Sequence, residues 1–150
     1  SERAVIPTII RQIFDNRVKS IKIGSLDTKR DFNYVEDTVE AFINLAEASN
    51  NKIEYGGVYN AGSGKAVTIE NILKKIISMT ECNKKVLRDK KRIRPKKSEV
   101  SELVASSKKL YKLTGWKPKY SLDRGLQETI EWWINRKKSN KIRKNTNYAI

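Results

Sequence analysis

The residue types able to do chemistry at neutral pH are few in this 150-residue chain: one cysteine, Cys82, six tyrosines and no histidine. A single thiol closes no internal disulfide, and without imidazole the usual zinc sites and histidine-dependent acid/base catalysis drop out. Cationic nitrogen is what the chain has in excess, with 32 Lys+Arg against 17 Asp+Glu and a formal net charge of +15. Residues 1–75 carry 11 basic and 10 acidic side chains whereas residues 76–150 carry 21 and 7, so the positive field belongs to the second half. It concentrates in Lys84 to Lys97, KKVLRDKKRIRPKK, opposed only by Asp89, and in an acid-free tail from Arg136 onward. Lysine and arginine in the first of these runs are able to hold phosphates, arginine by forking onto two oxygens, while for most of its lysines a solvated face is the expected role. The glycine cluster AGSGK at 61–65 lacks the third glycine of a dinucleotide-binding turn and fits no Walker-type loop, so it reads as a structural turn.

Elements must hold these groups in place. Ile6, Ile9, Ile10, Ile13 and Phe14 share one helical face, and Ser20 to Gly24 alternates as a short strand followed by the turn-like LDTKRD. Asp37 is expected to cap a helix, with Glu40 completing a capping-box-like pattern and Val39, Phe42, Ile43 and Ala46 as its buried stripe, ending near Ser49 to Asn51. Val58 to Asn60 is a short β-prone run. Thr68 caps a helix whose apolar face is Ile69, Ile72, Leu73, Ile76 and Ile77. Ser106 or Ser107 opens a short helix with Leu110 and Leu113 that Gly115 terminates. Trp116 and Pro118 follow in an extended piece, and Ser121 opens a last helix bearing Leu122, Leu126, Ile130, Trp133 and Ile134. The tryptophans are expected to seat the terminal helices. The pattern predicts a mixed α/β chain of about five helices and three or four short strands. Strands so few make no sheet that covers every apolar face, so the chain is expected to be the later part of something larger. No apolar run approaches the roughly 20 residues of a membrane-spanning helix and the start lacks a signal-peptide pattern, so a soluble, cytoplasmic protein is expected.

Taken in order, VIPTII, IKIG, KRDFNYVEDTVEAF, GGVYNAGSGKAVTIENI, RIRPKKSEV and LTGWKPKYSLDRGLQETIEWW resemble the C-terminal half of extended short-chain dehydrogenase/reductases that act on nucleotide sugars. RDFNYVEDTVEAF together with RPKKSEV is most similar to the nucleotide-sugar 4,6-dehydratases of bacterial surface-sugar pathways, with UDP- or GDP-N-acetylglucosamine as the implied substrate. The fold class implied is α/β: the small mixed substrate-binding subdomain, with the NAD(P)-binding Rossmann core largely absent. Residues 1–135 form that substrate-binding region, and 136–150 form a basic tail expected to be disordered. In the intact family enzyme NAD+ oxidises the sugar at C4, water leaves across C5 and C6, and hydride returns to C6. The family's glycine-rich turn and Tyr-x-x-x-Lys pair lie upstream of the matched region; here no tyrosine is followed four residues later by lysine. The resemblance therefore implies no catalytic, cofactor-binding or metal-binding residue on this chain, with NAD(P) bound by the missing half.

The resemblance implies substrate-binding residues instead. Arg30 in KRDF matches the arginine that contacts the pyrophosphate, and Arg94 in IRPKK a second arginine on the same phosphates, with Arg92 as the alternative to Arg94. Val5 and Pro7 match the segment under the nucleotide, Ile21 and Ile23 the strand beside the base, and Ile69 an apolar residue near it; Lys22 offers main-chain hydrogen bonds or points to solvent. Each has a plainer reading: Arg30 pairing with Asp27 or Asp31, the other arginines solvated, the aliphatics in core packing. Ser106 stands where the family has aspartate. The implied partners are a nucleotide sugar, the Rossmann half or a second copy, with no membrane and only nonspecific nucleic acid. The competing readings are a UDP-sugar 4-epimerase, a basic nucleic-acid-binding module motivated by the charge, and an unstable remnant.

Overall fold

The computed structural model describes residues 4–49, 52–93, 95 and 99–139. In chain order the elements are α1 (Val5–Phe14), β1 (Ser20–Ile23), β2 (Lys29–Asp31), α2 (Val35–Glu47), β3 (Ala66–Thr68), α3 (Ile69–Met79), β4 (Lys85–Arg88), β5 (Glu102–Leu103), α4 (Lys108–Thr114) and α5 (Leu122–Lys138), with a single 3-10 turn at Lys90–Arg92. They gather into two units. The first draws on the stretches Ser1–Thr28, Thr68–Val100 and Leu126–Ile150, the second on Lys29–Val67 and Ser101–Gly125.

In the first unit β1 and β4 pair in parallel, Ser20 opposite Lys85 through Ile23 opposite Arg88. The helix α3 provides the crossover that parallel strands require. β4 was hidden by its charge: KVLR reads as basic run, and all four of its residues are exposed. The packing of α1 against β1 and α3 buries Ile9, Ile10, Ile13, Ile21, Ile23, Ile72, Leu73 and Ile76, with Leu126, Ile130 and Trp133 of α5 also buried. Fully burying one such side chain stabilises by about 1.5–3 kcal/mol. Thr68 caps α3 as expected, its hydroxyl accepting from the Asn71 amide at 3.1 Å. The ammonium of Lys84 donates to the carbonyls of Gln12, Ile13 and Asp15 at 2.7, 2.8 and 2.8 Å and so closes the C-terminal end of α1. The helix α5 runs on to Lys138, so Arg136 to Lys138 form a basic last turn suited to the helix dipole.

In the second unit the sheet order is β3-β2-β5, with β2 and β5 parallel. KRD, expected as turn, is thus a strand. Its core is small: Ala41, Leu110 and Trp116, with Leu45 and Ala61 against them. Two expectations for α2 are overturned. Asp37 lies inside the helix rather than at its cap and is 1% exposed; its carboxylate accepts the amides of Lys119 (2.7 Å) and Tyr120 (3.2 Å), while its carbonyl accepts the Trp116 indole N–H at 3.1 Å. Glu40 pairs with Lys119 instead of completing a box. The anticipated buried stripe is exposed, Phe42 at 69%, Val39 at 50% and Ile43 at 49%, and Ala46 with it, because α2 turns Asp37 and Ala41 inward. Val58 to Asn60 forms no strand, and Val58 is 75% exposed. Gly115 ends α4 in the left-handed region (φ 75°), a conformation glycine adopts without Cβ strain. Ser107 precedes α4, but its hydroxyl is exchanged with the backbone of Gly62 (2.9 Å each way) rather than capping the helix.

Candidate functional site

The apolar candidates all fall in the first unit. Alternation along β1 turns Ile21 and Ile23 to its buried face and Lys22 to solvent, while Ser20 shares the side of Lys22. Val5 and Pro7 occupy the first turn of α1, where a proline costs no hydrogen bond, and Ile69 is the first residue of α3 and buried. The helix α1 packs on both β1 and α3, so the elements that carry these residues come together. Val5 and Pro7 are half-buried, whereas Ile21, Ile23 and Ile69 are buried in core packing.

Gln12, which the sequence reading passed over, fixes β1 on α1. Its amide oxygen accepts the Lys22 N–H (2.8 Å) and its amide nitrogen donates to the carbonyls of Lys22 and Thr8 (3.1 Å each). The side chain thereby stands in for a neighbouring strand. The signal was present as a Thr8–Gln12 polar pair at helical spacing within an apolar face. At the end of β1, a Cβ on Gly24 would lie 2.4 Å from the Arg92 carbonyl, so only glycine permits this approach. Arg92 in turn donates from Nε to Asp89 at 3.2 Å.

These residues border a cleft of about 440 Å³ lined by Arg11, Gln12, Asp15, Arg17, Lys19 and Lys22, with Arg92 at its wall. Asp15 is tied to Arg17 by Nε at 3.0 Å and Nη2 at 2.9 Å, and this fork pulls its carboxyl down to about 2. Elsewhere ion pairs act at the surface: Lys109 lowers the carboxyl of Glu54 and is itself raised by it, and Lys74 lowers that of Glu70.

Arg30 belongs to the second unit. It sits half-buried on β2 opposite Leu103, its Nη1 donating to the Lys29 carbonyl at 2.7 Å. Its suggested alternative partners have other engagements: Asp27 accepts from Arg88 at 3.2 Å, and Asp31 accepts from the amides of Ser63, Gly64 and Ala105 and from the Ser63 hydroxyl (2.6 Å). Arg94 lies outside the described residues.

Asp31 also decides whether AGSGK suits a dinucleotide. The Ser63 and Gly64 amides, at 3.0 and 2.9 Å from its two oxygens, form an anion-accepting turn that an internal carboxylate already fills. A pyrophosphate brought there would meet a negative charge in place of donors, so this turn does not fit NAD(P). Among the described residues no group of His, Cys, Asp and Glu has the makings of a metal site, and no helix is long and apolar enough to cross a membrane.

Residues 2–129 match the family model described as GDP-mannose 4,6 dehydratase. The chain is 31% identical to the dTDP-D-glucose 4,6-dehydratase of Mus musculus, over 86% of this chain and 36% of that protein. Among solved structures it is similar to RMD from Pseudomonas aeruginosa complexed with NADPH (25% identity, TM-score 0.77, covering 91% of this chain and 44% of that one). It is also similar to the UDP-glucose 4-epimerase of Thermotoga maritima with UDP-glucose (26% identity, TM-score 0.74, 88% and 40%). The chain thus spans less than half the length of each of these proteins.

Proposed function

The chain belongs to the GDP-mannose 4,6-dehydratase family, and on that premise we propose that it is the nucleotide-sugar-binding part of an NAD(P)-dependent nucleotide-sugar 4,6-dehydratase. The observation that carries this reading is the match over residues 2–129, a span that includes both arginine motifs. Arg30 and Arg94 supply forked, charge-assisted donors to the diphosphate, and the half-buried Val5 and Pro7 supply apolar surface for the base, with Ile21, Ile23 and Ile69 in the core of the same unit. Binding energy collected from the nucleotide then orients the sugar for reaction at a distance from these contacts. NAD(P), which supplies hydride acceptance and return, and the groups that move protons belong in this reading to polypeptide beyond the share of the relatives that this chain spans. The chain alone is expected to bind nucleotide sugar and to turn none over.

The test is a titration of UDP- and GDP-N-acetylglucosamine into the chain beside a duplex DNA, at low and at about 0.15 M salt, where exposed charges are largely screened. Saturable nucleotide-sugar binding that persists while DNA binding is lost supports the proposal. Retained DNA binding without nucleotide-sugar binding rejects it in favour of a nucleic-acid module. A second reading, a UDP-sugar 4-epimerase, draws on the similarity to the Thermotoga maritima enzyme. Supplied with a dinucleotide-binding complement, a dehydratase yields a 4-keto-6-deoxy sugar and an epimerase yields the C4 epimer.

A further inference from the structure

We propose that the cleft beside the C-terminal end of α1 binds a second ligand, a compact phosphorylated small molecule, at a site separate from the one that holds the nucleotide base. The cleft is lined by Arg11, Arg17, Lys19, Lys22 and Arg92, with Asp15 the one carboxylate on its wall among the described residues. Its volume of about 440 Å³ lies in the range of small-ligand sites.

Three features of the surroundings suit an anion. First, Asp15 is held by the Arg17 fork, so its charge is offset within the wall rather than presented to a ligand. Second, the C-terminal end of a helix ordinarily repels anions through its unpaired carbonyls. Here the Lys84 ammonium covers those of Gln12, Ile13 and Asp15, which removes that repulsion at the cleft's edge. Third, two backbone devices fix the wall. Gln12 holds both polar backbone atoms of Lys22, and Gly24 admits the Arg92 backbone against the end of β1. Lys19 and Lys22 make no ion pair among the described residues, so both ammonium groups are available to a ligand.

The cleft is separate from the proposed base contacts: Ser20 and Lys22 face it, whereas Ile21 and Ile23 face the buried side of β1, and neither Val5 nor Pro7 lines it. A half-open concavity of this volume suits a small phosphorylated molecule, whereas a polynucleotide needs an extended track of charge.

The experiment uses the full chain with inorganic pyrophosphate as probe, followed by amide chemical shifts and calorimetry at moderate salt, with a single-stranded oligonucleotide and UDP-N-acetylglucosamine titrated in parallel. Pyrophosphate is expected to shift the amides of Lys19, Ser20, Lys22 and Arg92. The double variant Lys19→Glu/Lys22→Glu is expected to weaken, about tenfold or more, the pyrophosphate binding that these amide shifts report, in a background of Arg30→Ala/Arg94→Ala that removes the other diphosphate contacts. Introduced into the parent chain, the same pair should leave affinity for UDP-N-acetylglucosamine unchanged, which separates failure of this site from failure of the nucleotide-sugar reading. A charge-matched control, Lys112→Glu/Lys117→Glu, should leave pyrophosphate affinity intact in the Arg30→Ala/Arg94→Ala background. Equal weakening by both pairs would reduce the effect to net charge and overturn the proposal, as would pyrophosphate shifts absent from these residues. An oligonucleotide whose affinity falls in Lys19→Glu/Lys22→Glu while pyrophosphate fails to bind would also overturn it, in favour of nucleic acid.

Discussion

Lys84 shows how one side chain in a run of cations can have a specific task. The cations of KKVLRDKKRIRPKK look interchangeable in sequence, yet the Lys84 ammonium closes the end of α1 on three carbonyls, with Lys137 donating to a fourth at Phe14. Lys84→Met keeps the aliphatic stem and removes the donors, and is expected to lower stability by about 1–3 kcal/mol, read as a shift in the urea midpoint. Asp37 is the counterpart in the second unit. Its two oxygens accept the Lys119 and Tyr120 amides while buried, so Asp37→Asn turns one acceptor into a donor facing an N–H; a loss of about 2–3 kcal/mol is expected by the same measurement. Asp15 sets a pH dependence. Its carboxyl is lowered from 3.8 to about 2 by Arg17, so its stabilising contribution is complete above about pH 4 and is lost as pH falls toward 2. The stability difference between the wild-type chain and Asp15→Asn should therefore be full at neutral pH and close over that acidic window. Neither Lys84 nor Asp37 was legible beforehand, because local rules assigned one to a solvated face and the other to a cap, while their partners lie some 70 to 80 residues away in sequence.

At the scale of elements, periodicity identified faces well and said nothing about what covers them. The helices α1 and α3 turn their buried isoleucines inward as their spacing implied, because they pack on each other and α1 packs also on β1. The helix α2 has an equally regular apolar stripe, Val35, Val39 and Phe42, yet it is exposed, and the carboxylate of Asp37 rather than that stripe anchors the helix. Exposed apolar surface of this kind promotes association. Val39→Lys/Phe42→Lys is expected to reduce self-association in sedimentation while leaving the unfolding midpoint within about 0.5 kcal/mol of the parent. β4 and β2 escaped detection for the opposite reason. Their lysines and arginines conceal strands whose pairing is set by distant partners, Lys85 by Ser20 and Arg30 by Leu103.

For the whole molecule, the mixed α/β class and the family were legible because six short motifs recur in a fixed order, and the match over residues 2–129 bears out that reading. The division of the described chain into two units, each with its own small sheet, was not, since it depends on which distant strands pair. The site was legible only in kind. Residue types suited to diphosphate and base could be named from the motifs, but the Gln12 bracket, the Gly24 approach and the filling of the glycine turn by Asp31 are tertiary events. The most direct measurement is a calorimetric titration of the tighter of UDP- and GDP-N-acetylglucosamine into the parent chain and into Arg30→Ala and Arg94→Ala. Each truncation is predicted to weaken binding about tenfold or more, the cost of one charge-assisted fork, with the unfolding midpoint unchanged. Affinity unaltered in Arg30→Ala would contradict the assignment of this chain to nucleotide-sugar binding through that arginine.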